Sequence, residues 1–320
     1  MTTNIVIQTS KLLTLDIESS KIPSGLALCD LKWRQKNLWV KNISHEDLIK
    51  NESLGDRPKG FPALTRKQWL ENCLRNSWIK RICVDLNVGE AGIKLWADSG
   101  EQANKSVFLR IGSDRELPNC QRSVYWSVKR ILDWLAAATL VTLLSPLFLA
   151  IALAIKIVTP GPIFFRQWRV GNRGKLFRVY KFRTMAVDAE QMHHQVMGKQ
   201  DGLHKLESDP RITSLGKWLR KSSLDELPQL FNVLRGEMSL VGPRPWALYD
   251  ALRLGEGAKS RLNALPGITG PWQIEGRSNL LDLDSVTKWD LDYLSNWSLM
   301  KDLKILLMTI PKVLSGYGAY

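Results

Sequence analysis

An uncharged apolar run from Trp134 to Ile155, WLAAATLVTLLSPLFLAIALAI, is the feature that most constrains this chain, and it is 22 residues long. About 20 consecutive apolar residues are enough for an α-helix to cross the ~30 Å hydrocarbon core of a bilayer. A single membrane-spanning helix is therefore the simplest interpretation. Whatever the rest of the chain folds into, this run predicts a membrane-associated protein.

Ser145 and Pro146 interrupt the run near its middle. Proline lacks the N–H that a helix needs and its ring clashes with the preceding turn, so the helix should break or kink there. Each half is about 15 Å long at ~1.5 Å per residue, which reaches roughly half way through the hydrocarbon core. The hydroxyls of Thr142 and Ser145 are placed to bond carbonyls that the proline leaves without a partner. The two halves could therefore enter and leave the same leaflet.

Basic residues flank the run on both sides. Lys129 and Arg130 precede it, and the basic residues that follow it include Lys156, Arg166, Arg169, Arg173 and Lys175. Because basic residues favour the cytoplasmic side of a membrane, this pattern places both ends of the run on that side. A straight span cannot satisfy both ends. We therefore favour a re-entrant helix–break–helix over about residues 129–157, while the residues leave the single span open as the alternative.

The chain is strongly basic, with a formal net charge of +14 over 320 residues. Such an excess suits nucleic acid, an anionic membrane lipid surface or phosphorylated substrates. No recognised nucleic-acid-binding motif accompanies the charge, so we expect lipid and phosphate rather than nucleic acid as partners. The four cysteines have no metal-binding spacing, and no apolar leader stands at the N-terminus. These observations indicate reduced thiols in the cytosol.

A polar stretch before the apolar run predicts a domain boundary near Asn119. Residues 1–119 are expected to form a small α/β module, in which residues 79–86 and 106–111 are strands and residues 89–105 carry the helix of a βαβ crossover. Helical spacing of apolar residues also predicts a helix within residues 64–78. No dinucleotide fingerprint is present, which favours a regulatory or interaction module.

Two adjacent carboxylates, Asp225 and Glu226, begin an apolar-periodic segment. One interpretation is purely structural: SLDE, from Ser223 to Glu226, matches a capping box whose acidic residues complement a helix dipole. Pro228 then requires an irregular first turn or a later helix start.

The other interpretation of the carboxylate pair is chemical. A helix start should favour the ionised form of Asp225 or Glu226, which makes either a candidate nucleophile or metal ligand. Attack on an anionic phosphate needs neutralisation, for which Mg²⁺ and arginine forks from Arg220 and Arg244 would serve. Pro243 and Pro245 would hold Arg244 rigidly.

Residues 177–185, FRVYKFRTM, alternate apolar and basic side chains like an amphipathic strand with one cationic side. Lys181 and Arg183 on that side suit substrate phosphate, a lipid headgroup contact or a solvated basic face, and the pattern leaves these alternatives open. The preceding residues 159–175 are expected to form a loop with aromatic residues at interfacial depth.

From about Val124 to Tyr320, the order of these features resembles the monotopic phosphoglycosyl transferases, also called bacterial sugar transferases. Seven blocks carry the resemblance: KRILD, SP, GPIFFRQWRVG, FRVYKFRTM, LRKSSLDELPQLFNVLRGEMSLVGPRP, LPGITGPWQIEGR and LDYLSNWSLMKDLKILLMT. Each block is weak alone, but seven in the family's order are specific, and they favour the chemical interpretation of the carboxylate pair.

The resemblance implies a Mg²⁺-dependent enzyme that transfers a sugar 1-phosphate from a UDP-sugar to undecaprenyl phosphate and initiates exopolysaccharide or envelope-glycan synthesis. It implies a catalytic domain, here residues 120–320, on the cytoplasmic face of the inner membrane, anchored by a re-entrant helix that breaks at Ser145 and Pro146. A homo-oligomer is compatible with it. Minimal members of the family lack a module like residues 1–119.

Particular positions match the family's functional residues. Asp225 matches the nucleophile, which also lies close to the metal, and Glu226 matches its partner carboxylate. Arg220 and Arg244 match arginines that bind phosphate or nucleotide, and Pro243 and Pro245 form the loop around Arg244. Without the resemblance, the competing hypothesis is a non-enzymatic membrane adaptor with one spanning helix and a basic lipid-binding surface.

Overall fold

The computed structural model describes residues 13–14, 29–34, 36–42, 66–110, 124–190, 209–253, 260–262, 264–275 and 283–315. The chain divides into two compact units, residues 1–111 with 174–176 and residues 112–173 with 177–320. The predicted boundary near Asn119 lies outside the described residues. Both units combine helices and strands, which confirms the predicted α/β class.

In its described part, the first unit is a five-stranded sheet with two helices. The strands are β1 (Leu13–Thr14), β2 (Cys29–Arg34), β3 (Asn37–Asn42), β4 (Arg81–Asp85) and β5 (Ser106–Arg110), in that spatial order, and the helices are α1 (Arg66–Arg75) and α2 (Gly89–Gln102). Strands β1 to β3 pair antiparallel, whereas β3, β4 and β5 pair parallel. Since α2 joins β4 to β5, the predicted βαβ crossover is confirmed.

The second unit begins with two helices, α3 (Val124–Leu143) and α4 (Ser145–Val158), whose axes are bent by 61° at Leu144. Within the described ranges, no single helix is long and apolar enough to cross a membrane. The two helices of the bent pair together reach the length and apolar composition that a span needs. The break lies where Ser145 and Pro146 predict it. The Ser145 hydroxyl donates to the carbonyl of Thr142 at 2.8 Å, which is the carbonyl that Pro146 leaves without a helical donor.

Lys129, near the start of α3, is not the exposed flanking charge that the sequence suggests. Its side chain is 3% exposed, and its Nζ lies 2.6 Å from Asp302 Oδ2 and 3.6 Å from Asp133 Oδ2. It also donates to the carbonyl of Val241 at 3.1 Å. The use of Lys129 as a positive-inside signal is therefore wrong, because buried carboxylates already pair its charge.

Both helices of the bent pair pack on the second unit. Ala137 of α3 lies in one hydrophobic cluster with Met238. Ile155 of α4 lies in another cluster with Phe182 and Leu219. The two arms of the pair therefore contact the same folded body.

Two small sheets and six further helices complete the described part of this unit. The strands are β6 (Phe164–Val170), β7 (Leu176–Phe182), β8 (Ser239–Val241), β9 (Trp246–Ala247) and β10 (Gly267–Thr269), and the helices are α5 (Ser214–Lys221), α6 (Gln229–Leu234), α7 (Leu248–Leu252), α8 (Pro271–Glu275), α9 (Leu283–Ser295) and α10 (Leu299–Ser315). One sheet has the order β7-β6-β9, and the other pairs β10 with β8 in parallel.

Strand β6 corrects one expectation, because residues 159–175 were predicted as a loop. Trp168 and Val170 are buried, and β9 pairs with the end of β6 through Val170 and Trp246. The strand pairs with β7, which follows it in sequence, and with β9, which is distant in sequence and which the local pattern of aromatic and basic residues does not reveal.

Candidate active site

The adjacent carboxylates lie on a short 3-10 helix, Leu224–Glu226, between α5 and α6. Ser223 precedes it in the left-handed region, at φ 53° and ψ 17°, and its side chain makes no capping hydrogen bond. The predicted capping box is therefore wrong, since a capping serine needs extended backbone. The later helix start predicted from Pro228 is confirmed, because α6 begins at Gln229.

Asn232 of α6 joins this turn to strand β7. Its Oδ1 accepts from the Tyr180 N–H at 3.0 Å, and its Nδ2 donates to the carbonyl of Arg178 at 2.8 Å. Its side chain thus forms the backbone hydrogen bonds that a neighbouring strand would form at this edge of β7. The next β7 residue, Lys181, places its Nζ 2.6 Å from Glu226 Oε1.

Asp225 is a buried carboxyl, only 8% exposed. Burial raises its pKa to about 6; Lys181 and Arg220 lower the pKa, while Glu226 raises it further. The sequence predicts that a helix start favours the ionised form of this carboxyl, whereas the pKa is raised, although a carboxyl with a pKa of about 6 is still mostly ionised at neutral pH. A single 3-10 turn has little dipole, and desolvation outweighs it.

Arg220 is positioned by the packing of α5 against Thr184. Thr213 caps α5 by accepting the Gly216 N–H at 2.9 Å, and a Cβ added to Gly216 would lie 2.0 Å from the Thr184 carbonyl oxygen. This close approach lets Arg220 Nε donate to Thr184 Oγ1 at 2.9 Å. Burial lowers the pKa of Arg220, while the charge of Asp225 raises it.

An open cleft of about 300 Å³ lies beside the carboxylates. Its lining residues are Arg169, Val179, Lys181, Glu226, Gln229, Arg244, Pro245, Gly267, Ile268 and Gln273. The structure thus brings together four residues that the sequence analysis selected, namely Lys181, Glu226, Arg244 and Pro245. Asp225 and Arg220 adjoin this group through the electrostatic contacts described above.

Arg169 is a cleft residue that the sequence analysis missed as a site residue. Burial lowers its pKa to about 10, and the nearby charge of Arg244 lowers it further. Its Nη1 donates to the carbonyl of Pro245 at 3.4 Å. Asp250 and Glu226 act in the opposite direction and raise the pKa of Arg169. Two guanidinium groups at one cleft match the geometry of phosphate, so Arg169 and Arg244 make the cleft a candidate binding site for phosphate.

Pro243 and Arg183 do not line the cleft. The carbonyl of Pro243 accepts the Gly267 N–H at 2.9 Å, which ties the proline loop to β10. The guanidinium of Arg183 donates to the carbonyls of Thr159 and Pro160, at 2.8 and 2.9 Å. Arg183 therefore binds the segment that follows α4. Of the two residues Lys181 and Arg183, Lys181 lines the cleft.

Magnesium was predicted for this site. The described parts of the chain contain no cluster of three or more His, Cys, Asp or Glu side chains that could hold a metal. Mg²⁺ at phosphate-handling sites, however, often takes only one or two carboxylates and completes its shell with substrate oxygens and water. Asp225 fits that requirement, because a cation would stabilise the ionised form that burial disfavours.

Comparison with known proteins identifies relatives of this chain. A family model described as bacterial sugar transferase matches residues 124–316. Galactosyl transferase CpsE of Streptococcus agalactiae is 50% identical over 165 residues, which are 50% of this chain and 36% of that protein. Exopolysaccharide production protein ExoY of Rhizobium meliloti is 41% identical over 207 residues, which are 62% of this chain and 91% of ExoY.

A third relative carries a fuller name. UDP-glucose:undecaprenyl-phosphate glucose-1-phosphate transferase of Caulobacter vibrioides is 44% identical over 200 residues, which are 60% of this chain and 72% of that protein. This chain thus spans about a third of CpsE but most of ExoY.

Proposed function

This chain belongs to the bacterial sugar transferase family, and from that premise we propose that it transfers a sugar 1-phosphate from a UDP-sugar to undecaprenyl phosphate. The Caulobacter relative is named for such a donor and acceptor. The Rhizobium relative is named as an exopolysaccharide production protein, and we assign this chain to the initiation of exopolysaccharide or envelope-glycan synthesis.

One observation carries the proposed chemistry: a buried carboxyl, Asp225, adjoins a cationic cleft that holds Lys181, Arg169 and Arg244. In the first half of the reaction, an Asp225 oxygen attacks the β-phosphorus of the UDP-sugar. The new bond joins that oxygen to phosphorus, and the bond to the bridging oxygen breaks, so that UMP leaves with the electron pair. The arginines neutralise the diphosphate that would otherwise repel the carboxylate.

The second half returns Asp225 to its starting state. A phosphate oxygen of undecaprenyl phosphate attacks the phosphosugar ester, and the bond from phosphorus to the Asp225 oxygen breaks. Glu226 assists by accepting a proton from the incoming phosphate, while Lys181, 2.6 Å from Glu226 Oε1, stabilises the carboxylate that accepts it. Asp225 would hold Mg²⁺, which would supply additional neutralisation of phosphate charge when bound.

The bent helix pair supports a re-entrant attachment at the cytoplasmic face of the inner membrane. Its two arms pack on one folded body, an arrangement that a straight span does not allow. Around the break, large apolar side chains remain exposed: Leu135, Leu140, Leu143, Leu149 and Leu153. Helix α10 exposes a further apolar row, Met300, Leu303, Leu307 and Ile310, which suits the same lipid surface.

Helix α5 adds a basic edge suited to anionic lipid. Trp218 is 55% exposed, and the exposed Lys217 and Lys221 lie on the same short helix. An indole with neighbouring lysines is typical of a helix that lies at a membrane interface.

An exchange assay tests the covalent mechanism. Labelled UMP should exchange into UDP-sugar when undecaprenyl phosphate is absent, because the first half-reaction needs no acceptor. Asp225→Asn should lose both exchange and overall transfer. Asp292→Asn, which changes a carboxylate that is 62% exposed, is the matched control and should retain both.

Two results would count against the proposal. Normal transfer with acceptor but no exchange without it would favour direct transfer in a ternary complex and leave Asp225 as a metal ligand. A folded protein that releases no UMP from any UDP-sugar of a broad panel would favour the non-enzymatic membrane adaptor.

A further inference from the structure

The geometry points to a buried ion pair, Arg261 with Asp290, as the device that positions Arg244 in the cleft. This inference rests on the proposed function, because it assigns Arg244 to substrate phosphate. Arg261 and Asp290 themselves do not line the cleft. They are positioning residues that act through the Arg244 backbone.

Arg261 contacts the chain on the C-terminal side of Arg244. Its Nη2 donates to the carbonyl of Arg244 at 2.9 Å. The carbon at the centre of its guanidinium lies 4.6 Å from the centre of the Trp246 ring. Since Arg261 is 1% exposed and Trp246 is 2% exposed, water does not compete for these contacts.

Asp290 completes the contact from helix α9. Its carboxylate forms the ion pair with Arg261 Nη2, the same nitrogen that donates to the carbonyl of Arg244. The contact to the Arg244 carbonyl is thus held by an ion pair that is anchored in a 13-residue helix. The backbone of Arg244 is therefore held by side chains that come from a later part of the chain.

The energetics favour a positioning role over a purely stabilising one. Burial raises the pKa of Asp290 and lowers that of Arg261, and each partner's charge opposes the effect on the other. Desolvation of a buried pair roughly cancels the attraction between its charges, so apolar residues of similar volume can often replace it without loss of stability. Such residues cannot reproduce the hydrogen bond to the Arg244 carbonyl.

Correct placement of Arg244 matters because it sets the catalytic geometry before substrate arrives. A guanidinium fork binds phosphate well only when its plane and distance fit, and a displacement of about 1 Å can reduce rate roughly 100-fold. The prolines on either side restrict φ at positions 243 and 245. The ion pair fixes the residue between them.

A double-mutant cycle tests the inference. The double variant Arg261→Met/Asp290→Leu removes both charges together and leaves neither one buried alone. In the wild-type background it should lower kcat/KM for transfer roughly 10- to 100-fold. In the Arg244→Ala background it should change kcat/KM by less than about twofold, because the group being positioned is already absent.

Two further variants separate positioning from folding. Arg261→Lys keeps a charge opposite Asp290, but its shorter side chain ends before the position of Arg261 Nη2, which contacts both Asp290 and the Arg244 carbonyl, so its kcat/KM should lie between wild type and the double variant. Asp292→Asn lies on the same helix and removes the exposed ion pair with Lys301, which is 3.5 Å long. It should leave kcat/KM unchanged.

The outcomes are distinguishable. Suppose that the wild type exchanges UMP and that the double variant lowers kcat/KM equally in the wild-type and Arg244→Ala backgrounds. Arg261 and Asp290 then do not act through Arg244, and this inference is overturned while the proposed function stands. If Arg261→Lys keeps full kcat/KM, the hydrogen bond from Arg261 to the Arg244 carbonyl is irrelevant and the inference is also overturned. If the wild type exchanges no UMP, the proposed function is overturned and this inference with it.

Discussion

Lys181 Nζ lies 2.6 Å from Glu226 Oε1, and both side chains are 23% exposed. The same two groups act in opposite directions on the buried Asp225, because Lys181 lowers its pKa and Glu226 raises it. Desolvation remains the largest influence, and the pKa of Asp225 is about 6. Asp225 is therefore near the midpoint of its titration in mildly acidic solution.

The rate of UMP exchange should rise with pH through about 6 in the free enzyme. In the proposed mechanism the ionised form of Asp225 is the nucleophile, and its fraction increases as pH passes its pKa of about 6. The measurement is the pH profile of kcat/KM for exchange, which reports the free enzyme. A profile that is flat between pH 5 and 8 would show that ionisation of Asp225 is not required.

Removing the charge of Lys181 and removing that of Glu226 should shift the pH profile of exchange in opposite directions. Lys181→Met removes a cation and should shift the apparent pKa upward, whereas Glu226→Gln removes an anion and should shift it downward. Lys288→Met, at an exposed position on α9, is the matched control and should leave the profile in place. Shifts in the same direction for both variants would contradict the electrostatic account.

Asp225→Asn should stabilise the protein at neutral pH. Between the ordinary pKa of 3.8 and the folded value of about 6, the folded state retains a proton that the unfolded state releases. Stability therefore falls as pH rises through this interval, by up to roughly 3 kcal/mol. Thermal unfolding should show a higher Tm for the variant at pH 8 and little difference at pH 4. A lower Tm at pH 8 would mean that the ionised carboxylate is well compensated.

Alanine at Arg220 or Arg244 should lower kcat/KM about 10- to 150-fold. Each loses a charge-assisted contact of roughly 1.5–3 kcal/mol with substrate phosphate. Lysine should restore only part of the activity, since it lacks the planar fork. Arg235→Ala is a suitable control, because Arg235 is exposed and donates to Tyr180 Oη at 2.6 Å. Unchanged kinetics in the two alanine variants would assign Arg220 and Arg244 to a solvated basic face.

Both ends of the bent helix pair should face the cytosol. Single cysteines at Tyr125 and Val187, which are 67% and 56% exposed, can be introduced after the four native cysteines are replaced. An impermeant thiol reagent should label both positions only when the cytosolic face is open. Labelling of either position from outside intact cells would support a single span.

Replacing the helix-breaking pair tests the same topology. Ser145→Ala/Pro146→Leu restores the missing N–H and removes the hydroxyl that bonds the Thr142 carbonyl, so it should straighten the helix toward a span. One of the two cysteines should then become accessible from outside. Thr139→Ala, which removes a hydroxyl bonded to Leu135 within continuous helix, should leave both on the cytosolic side.

Features with a local cause could be predicted from the sequence. The break at Ser145 and Pro146 follows from a missing N–H, and the late start of α6 follows from Pro228. The crossover through α2 follows from the spacing of apolar residues. The carboxylate pair and its arginines were predicted as site residues from the order of the sequence motifs. Motif order indicates which residues belong to a site but does not describe their geometry.

Tertiary structure decided the properties that depend on partners distant in sequence. The carboxylate of Asp302 pairs with the buried ammonium of Lys129. Strand pairing with β9 helps bring Arg169 to the cleft. Asp290 and Arg261 hold Arg244 from beyond its own loop. The protonation of Asp225 belongs to the same class, because desolvation depends on what surrounds a carboxyl after folding. A sequence specifies which groups can ionise or donate, whereas their distances and exposure to water exist only in the packed chain.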